Sequence, residues 1–384
     1  MMREALIRGR IATGGGLLED HAVLIEDGRI AAILPGTDPR LKEAHIHDLK
    51  GLLLLPGFID TQVNGGGGVL FNDAPTPDTI RRMGAAHAQF GTTGFLPTLI
   101  SDDLDVIARA VDAVSAAMDD GVPGVLGVHL EGPFLSPARK GVHDEAKFRA
   151  LDEEAFALLT SLKRGKTLVT LAPEMTTPGM IGRLTAAGVI VAAGHTNATY
   201  EDILEAYRHG LTGFTHLFNA MSPLTGRAPG AVGAALINQK AYCGMIADGH
   251  HVHPDVLKLA LRTKPCDRFV LVTDAWANIG TDLTSFRLQD ATIHVRDGVC
   301  VDENGVLAGS AMDMSRAVRN AMTLLGASLQ DALTMASSAP AAFLGLGRTH
   351  GRIAQGFRAD LVAADDALTV RATWIAGEKI FDAG

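Results

Sequence analysis

The chain has 384 residues, of which 47% are hydrophobic and 20% are charged. This composition is typical of a globular protein, and the length allows one large barrel-type domain with a small second domain, or two or three ordinary domains. The formal net charge of -9 gives no electrostatic case for a nucleic-acid partner.

The cysteines indicate a reducing compartment. Cys243, Cys266 and Cys300 are odd in number and widely spaced, so they predict neither a disulfide framework nor a thiolate metal site. Charged residues interrupt the N-terminal segment, and no apolar run approaches the length of a membrane span. We therefore expect a soluble, cytoplasmic protein with no membrane partner.

Both ends of the chain read as short strands. The N-terminal segment predicts strands over Glu4–Ile11, Ala22–Ile25 and Arg29–Ile33, with a hairpin turn between the last two. The C-terminal segment predicts strands over Ala359–Ala364 and Thr369–Ile375. We expect a small β-sandwich domain built from both termini, comprising residues 1–54 and 350–384.

The middle of the chain, residues 55–349, alternates apolar strands with helical stretches, the pattern of a parallel sheet with crossover helices. Eight strands are predicted, over Leu52–Leu55, Thr93–Leu96, Val125–Val128, Leu168–Leu171, Val189–Val191, Gly213–Thr215, Tyr242–Ile246 and Phe269–Val272. Helices are predicted over Thr79–Phe90, Asp103–Met118, Asp152–Leu162, Tyr200–His209 and Pro254–Arg262. The fold class is α/β, a TIM-type (β/α)8 barrel, with its active site at the carboxyl ends of the strands.

Three predicted strands end in a side chain that can bind metal. Glu131 follows the third strand, His195 the fifth and His216 the sixth. Taken singly, the carboxylate could be a helix cap or an ion-pair partner, and each histidine could be structural. Together they make a plausible triad for zinc, or for iron and its neighbours, with a coordination position left for water.

Other polar residues share this position at strand ends. Gln62 and Asn64 follow the first predicted strand, and Asp274 follows the eighth. Because the carboxyl ends of barrel strands face one rim, all six side chains are expected to converge there.

Five motifs amount to a family signature: Pro56-Gly-Phe-Ile-Asp60, His129-Leu-Glu-Gly-Pro133, Gly194-His195, Thr215-His-Leu-Phe-Asn-Ala-Met221 and Leu271-Val-Thr-Asp-Ala275. Together they resemble the amidohydrolase superfamily, and within it the N-acetylglucosamine-6-phosphate deacetylase family. The resemblance covers essentially the whole chain.

The resemblance implies one divalent metal per subunit, with Zn or Fe as the leading candidates, held by Glu131, His195 and His216. It implies that Asp274 is the catalytic acid and base. Superfamily members with two metals usually carry His-x-His after the first strand, where this chain has Gln62-Val-Asn64, and a lysine on the fourth strand, which the predicted strand lacks. Gln62 and Asn64 are therefore interpreted as a vestigial metal slot.

The resemblance also implies the substrate contacts, namely His143, Asn219, Ala220, Arg227 and His251. His143 would be catalytic as well, by donating a hydrogen bond to the reacting carbonyl oxygen. Arg227 would bind a phosphate bidentately, the alternative being a solvated loop arginine. In relatives this phosphate site is completed across a dimer interface, so a homodimer is expected.

The implied reaction is metal-dependent hydrolysis of the acetamido group of N-acetylglucosamine 6-phosphate, in amino-sugar catabolism, to glucosamine 6-phosphate and acetate. One alternative is a sibling amidohydrolase acting on N-acetylgalactosamine 6-phosphate or on another amide, such as a cyclic one. Another is a non-catalytic scaffold that has kept the barrel. Such a scaffold would be expected to have lost one of the residues that make the reaction possible, and this chain retains all of them.

Overall fold

The computed structural model describes residues 3–289, 291–296, 298–303, 305 and 307–384. The N-terminal part of the chain forms short strands. In chain order they are β1 Arg3–Ile7, β2 Arg10–Thr13, β3 Gly16–Leu18, β4 His21–Glu26, β5 Arg29–Pro35, β6 His45–Asp48 and β7 Leu53–Pro56, with a 3-10 turn over Pro39–Glu43. The hairpin expected near residues 22–33 is confirmed, because β4 and β5 pair antiparallel.

The barrel strands alternate with helices. They are β8 Phe58–Val63, β11 Thr92–Ile100, β12 Gly127–Glu131, β13 Lys166–Leu171, β14 Ile190–Ala193, β15 Gly213–Phe214, β16 Tyr242–Met245 and β17 Phe269–Leu271, with a small ribbon of β9 Gly65–Gly66 and β10 Val69–Leu70 after the first. Neighbours in this order pair parallel in one eight-stranded sheet. The TIM-type barrel prediction is confirmed.

The helices over the barrel are α1 Pro77–Ala88, α2 Leu104–Asp119, α3 Glu153–Leu159, α4 Pro178–Ala186, α5 Tyr200–Arg208, α6 Gly230–Ile237 and α7 Pro254–Leu261. Five of these match the predicted helices within a few residues. The helix α5 shows why the first residue of a helix can be predicted from sequence. Its start is marked by a capping box, in which the Thr199 and Asp202 side chains each accept a hydrogen bond from the other residue's backbone N–H. The helix α6 was not predicted, because its sequence is almost uniformly apolar and so carries no amphipathic period.

A four-stranded antiparallel sheet follows the last barrel strand. It consists of β18 Ser285–Leu288, β19 Ala291–Arg296, β20 Val299–Val301 and β21 Leu307–Ser310. The chain then forms α8 Met314–Thr323, α9 Leu329–Leu333, a π-helix over Thr334–Ser338, α10 Ala339–Phe343, and the strands β22 Leu361–Ala364, β23 Val370–Ile375 and β24 Glu378–Asp382.

The two chain ends meet in two further sheets, which confirms the expected small β-sandwich. One has the order β5-β4-β1-β6, and the other has the order β24-β23-β22-β7-β2-β3. Side chains from both sheets, including Leu6, Leu54 and Trp374, pack in a common apolar core. The exact division of the chain into domains at residues 54 and 349 stays a prediction, and β7 crosses the first of these boundaries.

The prediction that Leu52–Leu55 is the first barrel strand is wrong. The strand β7 pairs with β2 and β22 in the small domain, and β8 is the first barrel strand. Both strands are buried, but only β7 is continuously apolar, because β8 turns Asp60 and Gln62 to the face that also leads to the site. A search for apolar runs therefore selects the wrong strand.

The single strand predicted over Glu4–Ile11 is also wrong, because the chain breaks there. Arg8 has a φ of +55°, and a side chain at Gly9 would approach Leu49 to 2.5 Å. The break sends β1 into one sheet of the sandwich and β2 into the other.

Hydrogen bonds to the segment after β17 close the barrel beside the site. The Asp274 N–H donates to the Gln62 carbonyl at 3.0 Å, and the Asn64 N–H donates to the Ala275 carbonyl at 2.9 Å. Inside this seam, the Thr273 N–H donates to the buried Asp60 carboxyl at 3.3 Å. The ends of the first and last strands are thereby fixed to each other.

Candidate active site

Three buried side chains at the carboxyl rim bring their donor atoms together. Glu131 is the last residue of β12, while His195 and His216 lie two residues beyond β14 and β15. The Nε2 atoms of the two histidines are 3.0 Å apart. Glu131 Oε1 lies 3.1 Å from His216 Nε2 and 3.3 Å from His195 Nε2. The three residues predicted as metal ligands therefore form one cluster.

The chemistry of this cluster fits a divalent metal. At these distances the lone pairs of the two imidazole nitrogens and of the carboxylate oxygen repel one another. The repulsion is removed when a cation or a shared proton lies between them. His195 Nδ1 is 2.8 Å from the Arg139 carbonyl oxygen, which places the ring proton on Nδ1 and leaves the Nε2 lone pair free to bind metal. His216 Nδ1 has no hydrogen-bond partner in the described part of the chain. Nitrogen and carboxylate ligands of this kind suit zinc, iron and related ions.

Burial and close contact between Glu131 and His216 shift the pKa values of both side chains. Burial alone would raise the pKa of Glu131, but the close rings of His195 and His216 hold that pKa well below the ordinary value. Burial alone would lower the pKa of His216, but the Glu131 carboxylate raises it. The cluster thus holds a carboxylate that stays ionised and that attracts positive charge.

Left-handed backbone positions these side chains. His195, His216 and Asp274 have φ values of +48°, +33° and +51°. Such a conformation costs about 1–3 kcal/mol for a residue with a side chain, and it persists where the surrounding structure enforces it. Each of these residues lies two or three positions beyond the end of a barrel strand, so the strained turns aim the side chains at one point above the barrel.

Asp274 lies in the same pocket as the cluster of Glu131, His195 and His216, which we call the metal-type cluster. Its Oδ1 accepts a hydrogen bond from Asn64 Nδ2 at 2.7 Å. Burial, and then the nearby Glu131 carboxylate, raise the pKa of Asp274 above its ordinary value. A carboxyl group with a raised pKa, facing a site that can hold a metal, is suited to accept and return a proton.

His143 lies beside the cluster in the same pocket, with its ring centroid 4.3 Å from that of His195. Its Nδ1 accepts hydrogen bonds from the Ser101 backbone N–H at 3.2 Å and from the Ser101 hydroxyl at 2.8 Å. Burial, and then the neighbouring His195 ring, hold the pKa of His143 well below its ordinary value. The ring is therefore neutral, with its proton on Nε2, where it can donate to a ligand.

The side of the pocket above β15 and β16 is more polar. His251 Nδ1 lies 2.6 Å from Asp248 Oδ2, so the ring is fixed by a buried carboxylate. Asn219 and Ala220 line the same pocket, which has a volume of about 180 Å³. Burial opposes the ionisation of Asp248, but the hydrogen bond from His251 holds its pKa below the ordinary value. Asp248 is therefore an anionic support for His251.

Arg227 is the one sequence-predicted contact that the fold does not bring into this pocket. It lies in an exposed loop, over residues 223–228, between the pocket residue Ala220 and the helix α6. The pocket is lined by residues of the same region, but Arg227 is not among them. For Arg227 to contact a ligand in this pocket, a second surface must extend the pocket toward Arg227, or the loop over residues 223–228 must move.

Several residues of the site were not found by sequence reasoning. Ser101 and Asp248 orient His143 and His251, and both follow barrel strands, so the strand-end rule could have found them. Trp276 and Leu307 form part of the pocket wall. Leu307 belongs to the sheet β18–β21, and no local pattern connects that sheet with the rim.

An eight-stranded barrel that gathers two histidines and a glutamate at its carboxyl rim has the architecture of a metal-dependent barrel enzyme. The sequence model of the amidohydrolase family matches residues 53–380. The chain therefore belongs to the amidohydrolase family.

Curated relatives resemble the chain over nearly its full length. An N-acetylgalactosamine-6-phosphate deacetylase from Shewanella sp. (strain ANA-3) is 46% identical, covering 97% of this chain and 95% of the relative. An N-acetylglucosamine-6-phosphate deacetylase from Homo sapiens is 37% identical, covering 96% of this chain and 90% of the relative.

A solved structure agrees with this similarity. The crystal structure of N-acetylglucosamine-6-phosphate deacetylase from Pasteurella multocida superposes with a TM-score of 0.94 at 37% identity, covering 98% of this chain and 99% of that one. Across the described residues, no helix is long and apolar enough to cross a membrane.

Proposed function

We propose that this protein hydrolyses the acetamido group of N-acetylglucosamine 6-phosphate, giving glucosamine 6-phosphate and acetate. The observation that carries the proposal is the placement of Asp274 and His143 in one pocket with the Glu131–His195–His216 cluster. The proposal also draws on relatives over the whole chain, which are named as deacetylases of N-acetylated hexosamine 6-phosphates.

Glu131, His195 and His216 would hold the metal, for which we propose one divalent ion per subunit, Zn or Fe. Bound there, the metal would polarise the amide carbonyl and make water easier to ionise. The donor set supports this assignment, because it offers two nitrogens and one carboxylate and leaves room for water.

Asp274 is the proton carrier in this proposal. Its carboxylate takes a proton from the attacking water and later delivers that proton to the departing amine nitrogen. The raised pKa supports both halves of this cycle, since a carboxyl that is too acidic would not return the proton. Asn64 holds one carboxylate oxygen and leaves the other for the reaction.

His143 stabilises the charge that develops on the carbonyl oxygen. The Ser101 N–H and hydroxyl occupy Nδ1, so the Nε2–H is the group that faces the pocket. Preorganised donors of this kind are a main source of rate enhancement in acyl transfer. We further propose that His251, Asn219 and Ala220 contact the sugar, because they line the polar side of the pocket.

The phosphate site is proposed to lie near the subunit interface of a homodimer, with Arg227 as the phosphate ligand. The exposed position of Arg227 supports this arrangement, because the guanidinium is free to reach a neighbouring subunit. Two large apolar side chains close to it in the chain, Leu224 and Ile237, are 55% and 58% exposed, and an interface would cover them.

The galacto epimer is the second candidate substrate. The Shewanella relative at 46% identity is named for N-acetylgalactosamine 6-phosphate. The gluco proposal rests on several further relatives and on solved structures, including a mutant from Mycobacterium smegmatis in complex with N-acetyl-D-glucosamine-6-phosphate at a TM-score of 0.91 and 33% identity. A cytoplasmic location is also proposed, because Cys243, Cys266 and Cys300 are free thiols.

The test is acetate release from three compounds under the same metal supplementation: N-acetylglucosamine 6-phosphate, its galacto epimer and unphosphorylated N-acetylglucosamine. We expect fast release from the gluco phosphate and a large loss without phosphate. A preference for the galacto epimer would move the protein to the second candidate. Absence of release from all three by metal-loaded protein would overturn the deacetylase proposal.

A further inference from the structure

We propose that Trp276, together with Ile100, Val142 and Leu307, forms an acyl pocket that limits the N-acyl group of the substrate to the size of acetyl. The inference rests on the proposed deacetylase function and makes it more specific. It concerns the half of the pocket that does not contact the sugar.

The pocket has two chemically different halves. His251 and Asn219 form a polar part of the lining, whereas Ile100, Trp276 and Val142 pack in one apolar cluster, and Leu307 adds to this apolar lining. A hexosamine phosphate carries hydroxyls and charge everywhere except at the methyl end of its N-acyl group. The methyl end is therefore the part of the substrate that gains from contact with the apolar half.

The apolar residues are neighbours, in sequence or in strand register, of the residues that act on the amide. Ile100 is the register partner of Glu131 across β11 and β12, Val142 precedes His143, and Trp276 lies two residues beyond Asp274. An amide carbonyl that reaches Glu131, His143 and Asp274 must carry its acyl chain within a few ångströms of these side chains. No other part of the substrate needs to enter this space.

The position of Trp276 is fixed by the residues behind it. The indole is 2% exposed and stacks on Phe286 of β18, with ring centroids 6.1 Å apart and an interplanar angle of 29°. A Cβ built on Gly309 would lie 1.7 Å from Trp276 Nε1, so the backbone of β21 touches the edge of the ring. Trp276 Nε1 has no hydrogen-bond partner in the described chain, so the ring acts by its shape.

A rigid wall of this kind should discriminate by length. Because Phe286 and the β21 backbone hold the indole from behind, Trp276 cannot withdraw to admit a longer acyl chain. One additional methylene against a hydrophobic pocket changes kcat/KM by about 10–200-fold. We expect the N-propionyl analogue to be slower than the N-acetyl substrate by a factor in this range.

The test compares kcat/KM for N-acetyl and N-propionyl glucosamine 6-phosphate in metal-loaded wild type and in Trp276→Ala. The propionyl-to-acetyl ratio should rise by at least about 10-fold in the variant. Leu307→Ala is the second variant, and it should shift the ratio in the same direction. Leu307 is 37% exposed, so its truncation endangers folding less. Trp374→Phe, in the small domain, is the control and should leave the ratio unchanged.

The outcomes separate the two proposals. An unchanged ratio in both pocket variants, with acetyl hydrolysis by the wild type intact, would overturn the acyl pocket and leave the deacetylase function standing. Equal rates on both compounds in the wild type would have the same meaning. Absence of hydrolysis of every compound by metal-loaded wild type would overturn both proposals together.

Discussion

Gln62 donates its side-chain amide to both carboxylate oxygens of Glu131, at 3.2 and 3.1 Å. Asn64, two residues further, donates its side-chain amide to one oxygen of Asp274, at 2.7 Å. The residues interpreted from sequence as a vestigial metal slot thus present N–H groups to the two carboxylates of the site. Because an amide that donates to a carboxylate offers no lone pair in that direction, this arrangement supports the prediction of a single metal.

Gln62→Ala should therefore weaken metal binding without removing a ligand. Loss of a group that orients a metal ligand typically costs about 10–100-fold in metal affinity. The measurement is the metal dissociation constant by competition with a chelator. Gln355→Ala, which changes an exposed glutamine of the C-terminal segment, is the matched control. Equal affinity in the Gln62 variant and in the control would show that Glu131 does not need this donor.

Asp274→Asn should retain the metal but lose turnover. An amide cannot carry the proton from water to the amine, and general acid-base catalysis contributes about 10²–10⁴-fold. The checks are kcat and the metal content by elemental analysis. Near-normal turnover in this variant would contradict the assignment of Asp274 as the proton carrier.

Ser101→Ala should slow the reaction moderately, because it removes one of the two hydrogen bonds to His143 Nδ1 and leaves the backbone N–H in place. The loss of one such bond costs about 1 kcal/mol, which corresponds to about fivefold in kcat. Ser101→Thr keeps the hydroxyl and should restore the rate. Equal rates in the alanine and threonine variants would show that the Ser101 hydroxyl does not position the His143 ring.

The pH dependence of stability should depend on Asp60. Burial raises the pKa of this carboxyl to about 7, whereas an unfolded chain ionises aspartate near pH 3.9. The folded state therefore holds the proton more tightly, and this contribution to the free energy of unfolding is complete below about pH 4 and is lost as the pH rises to about 7.

Asp60→Asn should remove this part of the pH dependence. Unfolding free energies from urea titrations at pH 5 and pH 8 should differ less in the variant than in the wild type. Asp112→Asn, an exposed aspartate on α2, is the control and should behave like the wild type. The same pH dependence in all three proteins would mean that Asp60 does not hold its proton in the folded state.

The metal-type cluster could be predicted from sequence because its signals are local. Each ligand follows a short run of small or β-branched residues, and the barrel rhythm places all such ends on one rim. Glu131, His195, His216 and Asp274 were found in this way, and the structure brings all four into one pocket.

The parts that sequence reasoning missed depend on tertiary contacts. The run Leu53–Pro56 is more apolar than the true first barrel strand, because it lies in the middle of the sandwich sheet. Leu307 lines the pocket because β21 lies beside the segment after β17, where Ser310 forms a β-bridge with Ala275. The hydrogen bonds from Gln62 to Glu131 could not be predicted, since a sequence gives the residue type but not the partner of its amide.

The most direct test of metal-dependent deacetylation is a metal titration of metal-free protein, followed by acetate release from N-acetylglucosamine 6-phosphate. We expect activity to be absent after chelation, to rise linearly with added Zn or Fe, and to reach a plateau at one ion per chain. Glu131→Gln should not recover under the same conditions. Full activity in protein shown by elemental analysis to be metal-free, or a plateau only at two ions per chain, would contradict this expectation.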